Sequence, residues 1–269
     1  MELLYQSTAG RLPRRGSIVK LMQGDYGISV RMAKVLPSRF TLAAVLDDGF
    51  FSGPGGRLVG TSQYVRELLA LGVNVFMAYP GVIHHHIPAE ASCARIVNLS
   101  VAAVTAMPDE RRVAISAESA VRLGADAVTL HVVIGHPSEA QSLKELAKTV
   151  EIAHSYSMPV LAVMYGAEVQ TSDSPSLLHL GRIAHELDVD LIKVRHTGLQ
   201  GELEDLVDSV RPTPVLVAGG PASTDRDAIK KAQTAYRAGA AGLCFGRSLA
   251  YASDLQGLIT TLRKLGEEE

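Results

Sequence analysis

The chain has 269 residues, 47% hydrophobic and 20% charged, with a formal net charge of −2. That is a globular composition large enough to bury a core without disulfides, and the small charge points away from nucleic acid as a partner. The two cysteines, Cys93 and Cys244, lack CxxC spacing, which excludes a disulfide framework and a zinc ribbon. Each lies in an apolar run, as buried thiols do in a reducing compartment. The longest apolar stretch, 68–83, is broken by Gly72, Asn74, Pro80 and Gly81, so it cannot supply the ~20 residues of a membrane span. No basic-then-apolar leader opens the sequence, and the expected location is cytoplasmic.

Residues 1–40 form a basic arm, with Arg11, Arg14, Arg15, Lys20, Arg31, Lys34 and Arg39 against Glu2 and Asp25. Such an arm can meet nucleic acid or a phosphorylated ligand, but it lacks the interleaved aromatics of a single-strand-binding surface. The expectation is a segment that packs on its own barrel or on a neighbouring subunit. From Thr41 the chain alternates. Short apolar runs begin at 41, 72, 95, 126, 159, 189, 214 and 241, spaced by 23 to 33 residues. Between most of them lie stretches with apolar positions three and four apart, such as SQYVRELLALG, SLKELAKTVEIAHSY and DRDAIKKAQTAYRAGA. Fully apolar short strands joined by helical crossovers imply a parallel sheet covered on both faces. Eight units of about 30 residues predict an α/β fold, a (β/α)8 TIM barrel over 41–269 with residues 1–40 as an N-terminal extension. An open doubly wound sheet would carry Gly-x-Gly-x-x-Gly after its first strand, and LDDGFFSGPGG does not. The third unit is the weakest, with SVAAVTAMPDE showing no helical period.

Chemistry in this fold sits at the C-terminal ends of the strands. Of the eight lysines, Lys193 alone interrupts a strand, in VDLIKVRHTG. Alternation puts Leu191, Lys193 and Arg195 on the lumen face and Ile192 and Val194 outside. Burial and a neighbouring cation both lower a lysine's pKa, which predicts a neutral fraction nucleophilic toward a carbonyl. Tyr165 closes the adjacent strand and is a candidate proton donor, and Asp47 at the end of the first strand is a candidate partner for the lysine's charge. Asp48 faces away by strand alternation unless the loop turns it back. His131 ends the fourth strand, placed to orient a substrate hydroxyl or to sit as a core histidine. The last two strands close on Gly219-Gly220 and on Gly246-Arg247, the loops that hold phosphate in such barrels, so a phosphorylated small molecule is the expected ligand. His84, His85 and His86 are expected in a loop over the mouth. Consecutive residues cannot converge on one ion, so no metal and no other cofactor is expected.

The stretches GISVRMAKVL, LDDGFFSGP, GVNVFMAYPGVIHH, GADAVTLHVVIG, MPVLAVMY, VDLIKVRHTG, VAGGPAST and AGAAGLCFGRS together resemble the archaeal-type class I aldolases of the fructose-bisphosphate aldolase group. Within that group the chain is most similar to the branch of 2-amino-3,7-dideoxy-D-threo-hept-6-ulosonate synthases. The resemblance implies a Schiff base at Lys193, Tyr165 as proton donor, Asp47 as the first-strand carboxylate, a phosphate cradle of Gly219, Gly220, Gly246 and Arg247, and a homo-oligomer. The chain departs from the family pattern at four places. Asp48 stands for a histidine, Gly166-Ala167 for Pro-Arg, Pro80 for a lysine, and Arg195 for a small polar residue. These point to a specialised biosynthetic aldolase with altered polar groups for reading its substrate. The alternatives are a catabolic fructose-bisphosphate-aldolase-like enzyme and a non-catalytic sugar-phosphate-binding barrel.

Overall fold

The computed structural model describes residues 25–102, 111–166, 176–195, 200–221 and 224–267. Its ten strands are β1 (Thr41–Val45), β2 (Val75–Ala78), β3 (Ala94–Asn98), β4 (Ser100–Ala102), β5 (Arg111–Val113), β6 (Ala127–Ile134), β7 (Val160–Gly166), β8 (Leu191–Arg195), β9 (Val215–Ala218) and β10 (Gly242–Phe245). Eight of them pair in parallel and close in the order β1-β10-β9-β8-β7-β6-β3-β2, while β4 and β5 form a separate antiparallel hairpin. The predicted (β/α)8 barrel is therefore the observed fold. The weak third unit has a physical basis: the crossover from β3 to β6 spends its residues on the β4–β5 hairpin before one short helix, α5 (Ala117–Arg122).

The strands are buried on both faces, and their period of two sorts side chains into two cores. Ile192 and Val194 join the large core between sheet and helices, whereas Val45, Met77, Ile96, Leu161, Val163, Leu191, Leu216 and Cys244 fill the lumen. Each fully buried aliphatic side chain contributes about 1.5–3 kcal/mol relative to exposure, so lumen and shell together hold the ring closed. Closure between β10 and β1 needs Gly242. A Cβ there would lie 2.1 Å from the Thr41 carbonyl oxygen, so any other residue would force the two strands apart.

The outer layer is built from α3 (Thr61–Ala70), α4 (Pro80–His86), α5, α6 (Glu139–His154), α7 (Leu177–Glu186), α8 (Gln200–Ser209), α9 (Asp225–Arg237) and α11 (Leu255–Lys264); α2 (Asp48–Ser52) and α10 (Arg247–Ala250) are single turns at the mouth. Ser116, Ser176, Thr224 and Asp254 cap four of these helices by accepting from backbone N–H groups of the first turn. Among the described residues no helix is long and apolar enough to cross a membrane.

At the end of the barrel opposite the mouth lies α1 (Tyr26–Val35), capped by Asp25. Its Met32 and Val35 are buried with the lumen residues, Lys34 pairs with Asp126 at 3.0 Å, and Arg31 donates to the Ser157 carbonyl at 3.0 Å. Two of the arm's seven cations are thus engaged with the chain's own barrel. Arg11, Arg14, Arg15 and Lys20 lie outside the described residues.

Candidate active site

Strand alternation carries polar side chains to the mouth one level above the apolar lumen. Asp47 follows Val45 by two residues, Asn98 follows Ile96 and Tyr165 follows Val163. Lys193 is level with Val163 and Leu216 in the strand register. In the ring order, β8 and β2 are diametrically opposed, so the Lys193 side chain spans the lumen and its Nζ reaches Met77 Sδ at 3.7 Å. A thioether is a weak acceptor. Lys193 is 5% exposed and sealed above an apolar lumen, and among the described residues Met77 Sδ is its hydrogen-bond partner.

The expected depression of the Lys193 pKa is not what the structure gives. Burial does act to lower it, but Cys244, Tyr165 and Asp47 act the other way, and the net direction is above the ordinary lysine value. The reason lies in Arg195. That residue was expected to be a lumen cation beside Lys193, but it ends β8 exposed at the rim, so the groups facing the lysine are acidic ones. Asp47 is also held above the usual carboxylate range, because burial outweighs the pull of Lys193 and of the Asn98 hydrogen bond. The raised Lys193 value keeps the amine protonated at rest, so a base must take its proton before it can attack a carbonyl, and the raised value of Asp47 suits that carboxylate to the task.

Asp47 Oδ2 accepts from Asn98 Nδ2 at 3.0 Å, and Asn98 Oδ1 accepts from the Ser100 amide at 3.0 Å. Ser100 also takes the His131 amide on its hydroxyl (2.9 Å) and the Tyr79 hydroxyl on its carbonyl (2.7 Å). The His131 ring stacks on Tyr165, centroids 5.7 Å apart and planes 3° off parallel. Burial, reinforced by Lys193 and Arg111, keeps His131 well below its ordinary pKa, so at neutral pH it is an uncharged imidazole. Among the described residues its Nδ1 is buried without a hydrogen-bond partner, and so is Ser248 Oγ on α10. Unmet polar atoms at the open end of the barrel mark where a polar ligand completes the structure.

The glycine loops lie across the mouth. Gly220 has φ +76°, in the left-handed region that favours glycine, and a Cβ built on it would lie 3.5 Å from Lys231 Nζ and 3.9 Å from Arg195 Nε. Gly219 faces Ser248 Oγ and gives its carbonyl to Lys231. Lys231 is pushed below its ordinary pKa by burial and by Arg195. Gly246 precedes α10, where Arg247 stands 3.6 Å from Asp48. Asp48 therefore turns toward the cradle.

The structure brings Asp47, His131, Tyr165 and Lys193 together, and places Asp48, Arg195, Gly219, Gly220, Gly246 and Arg247 around the loops after β9 and β10. Lys231 is not among the residues that the sequence singles out. Its spacing from Ala228 and Ala235, three and four residues away, sets it beside the buried stripe of α9 and was the available signal. His84, His85 and His86 are not in a loop but form the last turn of α4, with His86 Nδ1 2.7 Å from Ser62 Oγ. Among the described residues no three His, Cys, Asp or Glu side chains group as metal ligands. Cys244 is buried, its thiol pushed up to about 11 by that burial, while Cys93 is only partly buried.

The model of the DeoC/LacD family aldolases matches residues 41–250. The 2-amino-3,7-dideoxy-D-threo-hept-6-ulosonate synthase of Halobacterium salinarum is 32% identical over 229 residues, covering 84% of this chain and 86% of the relative. The 2-amino-4,5-dihydroxy-6-oxo-7-(phosphonooxy)heptanoate synthase of Streptomyces griseus is 31% identical over 215 residues, 78% of each chain. An archaeal fructose-1,6-bisphosphate aldolase, with its catalytic Lys covalently bound to the carbinolamine intermediate of the substrate, superimposes with a TM-score of 0.81 at 23% identity, over 90% of this chain and all of that one. The family match spans all eight barrel strands and the loops at their ends, and the chain belongs to the DeoC/LacD family of aldolases.

Proposed function

We propose that the protein joins a phosphorylated hydroxyketone to an aldehyde through a Schiff base on Lys193, as a biosynthetic, cytoplasmic, homo-oligomeric enzyme. The observation that carries this reading is the lysine sealed in the lumen, with Asp47 and Tyr165 near enough to act on its charge. Lys193 passes one proton to Asp47, and the freed Nζ attacks the ketone carbon to give a carbinolamine. Tyr165 protonates the departing hydroxyl, water leaves, and the protonated imine draws electrons from the adjacent carbon, which loses a proton to the Tyr165 phenolate to become an enamine. The enamine carbon attacks the aldehyde and the new alkoxide takes a proton from Tyr165. Hydrolysis of the imine then restores the free amine.

Gly219, Gly220 and Gly246 let backbone N–H groups approach the donor's phosphate, with Arg247, Arg195 and Lys231 supplying charge. The Streptomyces relative's name supports the substrate class. In a 2-amino-4,5-dihydroxy-6-oxo-7-(phosphonooxy)heptanoate the aldol bond, one carbon removed from the ketone, is C4–C5. Breaking it leaves a three-carbon hydroxyketone phosphate and a four-carbon amino-acid aldehyde. The test is borohydride reduction with dihydroxyacetone phosphate. The intact mass should rise by the donor mass less one oxygen, and peptide mapping should place the adduct on Lys193. An adduct on another lysine, or activity that a chelator alone abolishes, would overturn the reading.

A further inference from the structure

The β4–β5 hairpin carries Arg111, which the aldol steps above do not use. Its Nε and Nη1 are shut off from solvent without a hydrogen-bond partner, and no carboxylate among the described residues pairs with it. The guanidinium Cζ lies 4.4 Å from the centroid of the Phe51 ring. Phe51 packs edge-on against His131 with centroids 6.2 Å apart. Arg111 also acts electrostatically on both His131 and Tyr79. The guanidinium thus stands one aromatic ring from His131, which itself stacks on Tyr165. Arg111 is half-buried, and two closed-off N–H groups without an acceptor are costly to hold, a cost that a fixed aromatic face recovers only in part. Such an arrangement is suited to an anion that arrives with the ligand.

The ring order says which part of the ligand it meets. The glycine cradle follows β9 and β10, and the point diametrically opposite lies between β6 and β3. The hairpin follows β3 and is fixed at that place by Ser100, whose hydroxyl accepts the β6 amide of His131. A substrate lying across the mouth therefore has its phosphate at one wall and its far end at Arg111, with the reacting carbons over Lys193 and Tyr165 between them. We propose that Arg111 binds a carboxylate on the acceptor aldehyde and so selects anionic acceptors. The proposal rests on the Schiff-base reading for the identity of donor and acceptor sides.

The test separates the two. The purified enzyme is assayed with dihydroxyacetone phosphate and three acceptors: succinic semialdehyde, butanal and glyceraldehyde 3-phosphate. Arg111→Gln should lower kcat/KM for succinic semialdehyde about 10²-fold, the scale of one lost charge-assisted contact, and that for butanal less than about threefold. Arg111→Lys keeps the charge and should fall between wild type and Arg111→Gln. Borohydride trapping of the donor on Lys193 should be undiminished in both variants, which also shows that they fold. Equal losses on succinic semialdehyde and butanal, or a loss confined to glyceraldehyde 3-phosphate, would overturn the carboxylate assignment while trapping persists. Absence of trapping in the unmodified enzyme would instead overturn the Schiff-base reading on which it rests.

Discussion

Lys193→Met separates function from stability. Methionine matches lysine in length and flexibility, and the position is walled by Val163, Leu216, Met77 and Cys244, so the thioether should pack without a void. Replacing a buried ion pair by hydrophobes of similar volume is neutral or stabilising by about 1–4 kcal/mol, whereas removing one partner costs about 3–5 kcal/mol if the other stays charged. Against that gain, Asp47 loses its cation. It keeps the Asn98 hydrogen bond and, already held above the usual carboxylate range by burial, it can take up a proton. A carboxyl whose folded pKa is raised favours the folded state at low pH, and that contribution is lost as pH rises through the folded value. Between the unfolded and the folded value each pH unit costs about 1.4 kcal/mol, and above the folded value the loss is complete. The variant should therefore equal or exceed wild type by up to ~3 kcal/mol in urea unfolding at pH 5.5, lose that margin toward pH 8, and show neither turnover nor borohydride trapping at either pH. A loss of more than about 2 kcal/mol at pH 5.5 would mean that the ammonium is a structural ion and would refute the argument. Retained trapping would refute the assignment of the nucleophile.

Tyr165→Phe should leave imine trapping intact while lowering C–C bond turnover by about 10²–10⁴, the usual cost of one general acid, and equal losses in both would point to a packing defect. Arg247→Ala should raise KM for a phosphorylated donor much more than for its dephosphorylated analogue, and equal effects would move the phosphate away from the α10 loop. Met32→Ala opens a cavity under the lumen and should cost about 2–5 kcal/mol in a urea titration without altering KM; a loss below 1 kcal/mol would mean that α1 does not brace the barrel. His154 is held above its ordinary pKa chiefly by its hydrogen bond to Asp190, 2.9 Å away. That contribution is fully present below the unfolded histidine value near 6.5 and lost as pH rises through the folded one, so the stability gap between wild type and His154→Gln should be wider at pH 5.5 than at pH 8.5.

The barrel was legible in the sequence because its signals are local. Apolar runs of period two and helical stripes of period 3.6 depend on neighbours a few residues away, and eight such units leave little choice of architecture. The same period set Lys193 on the lumen face, and the position of each run's end named Asp47, Tyr165 and the glycine loops. The charge arrangement at the mouth was not legible, because it pairs residues far apart in the chain. Asp48 meets Arg247 only once β1 and β10 close the ring, and Lys231 meets Gly219 only when α9 packs beneath its loop. The exposed end of β8 decided that Arg195 leaves the lysine's surroundings, and with it the direction in which Lys193 is shifted. Arg111 lay in a stretch with neither period, where a hairpin of six paired residues has too little local pattern to show itself. Local sequence determines which face a side chain takes; the low dielectric that makes its charge matter exists only after the barrel has closed around it.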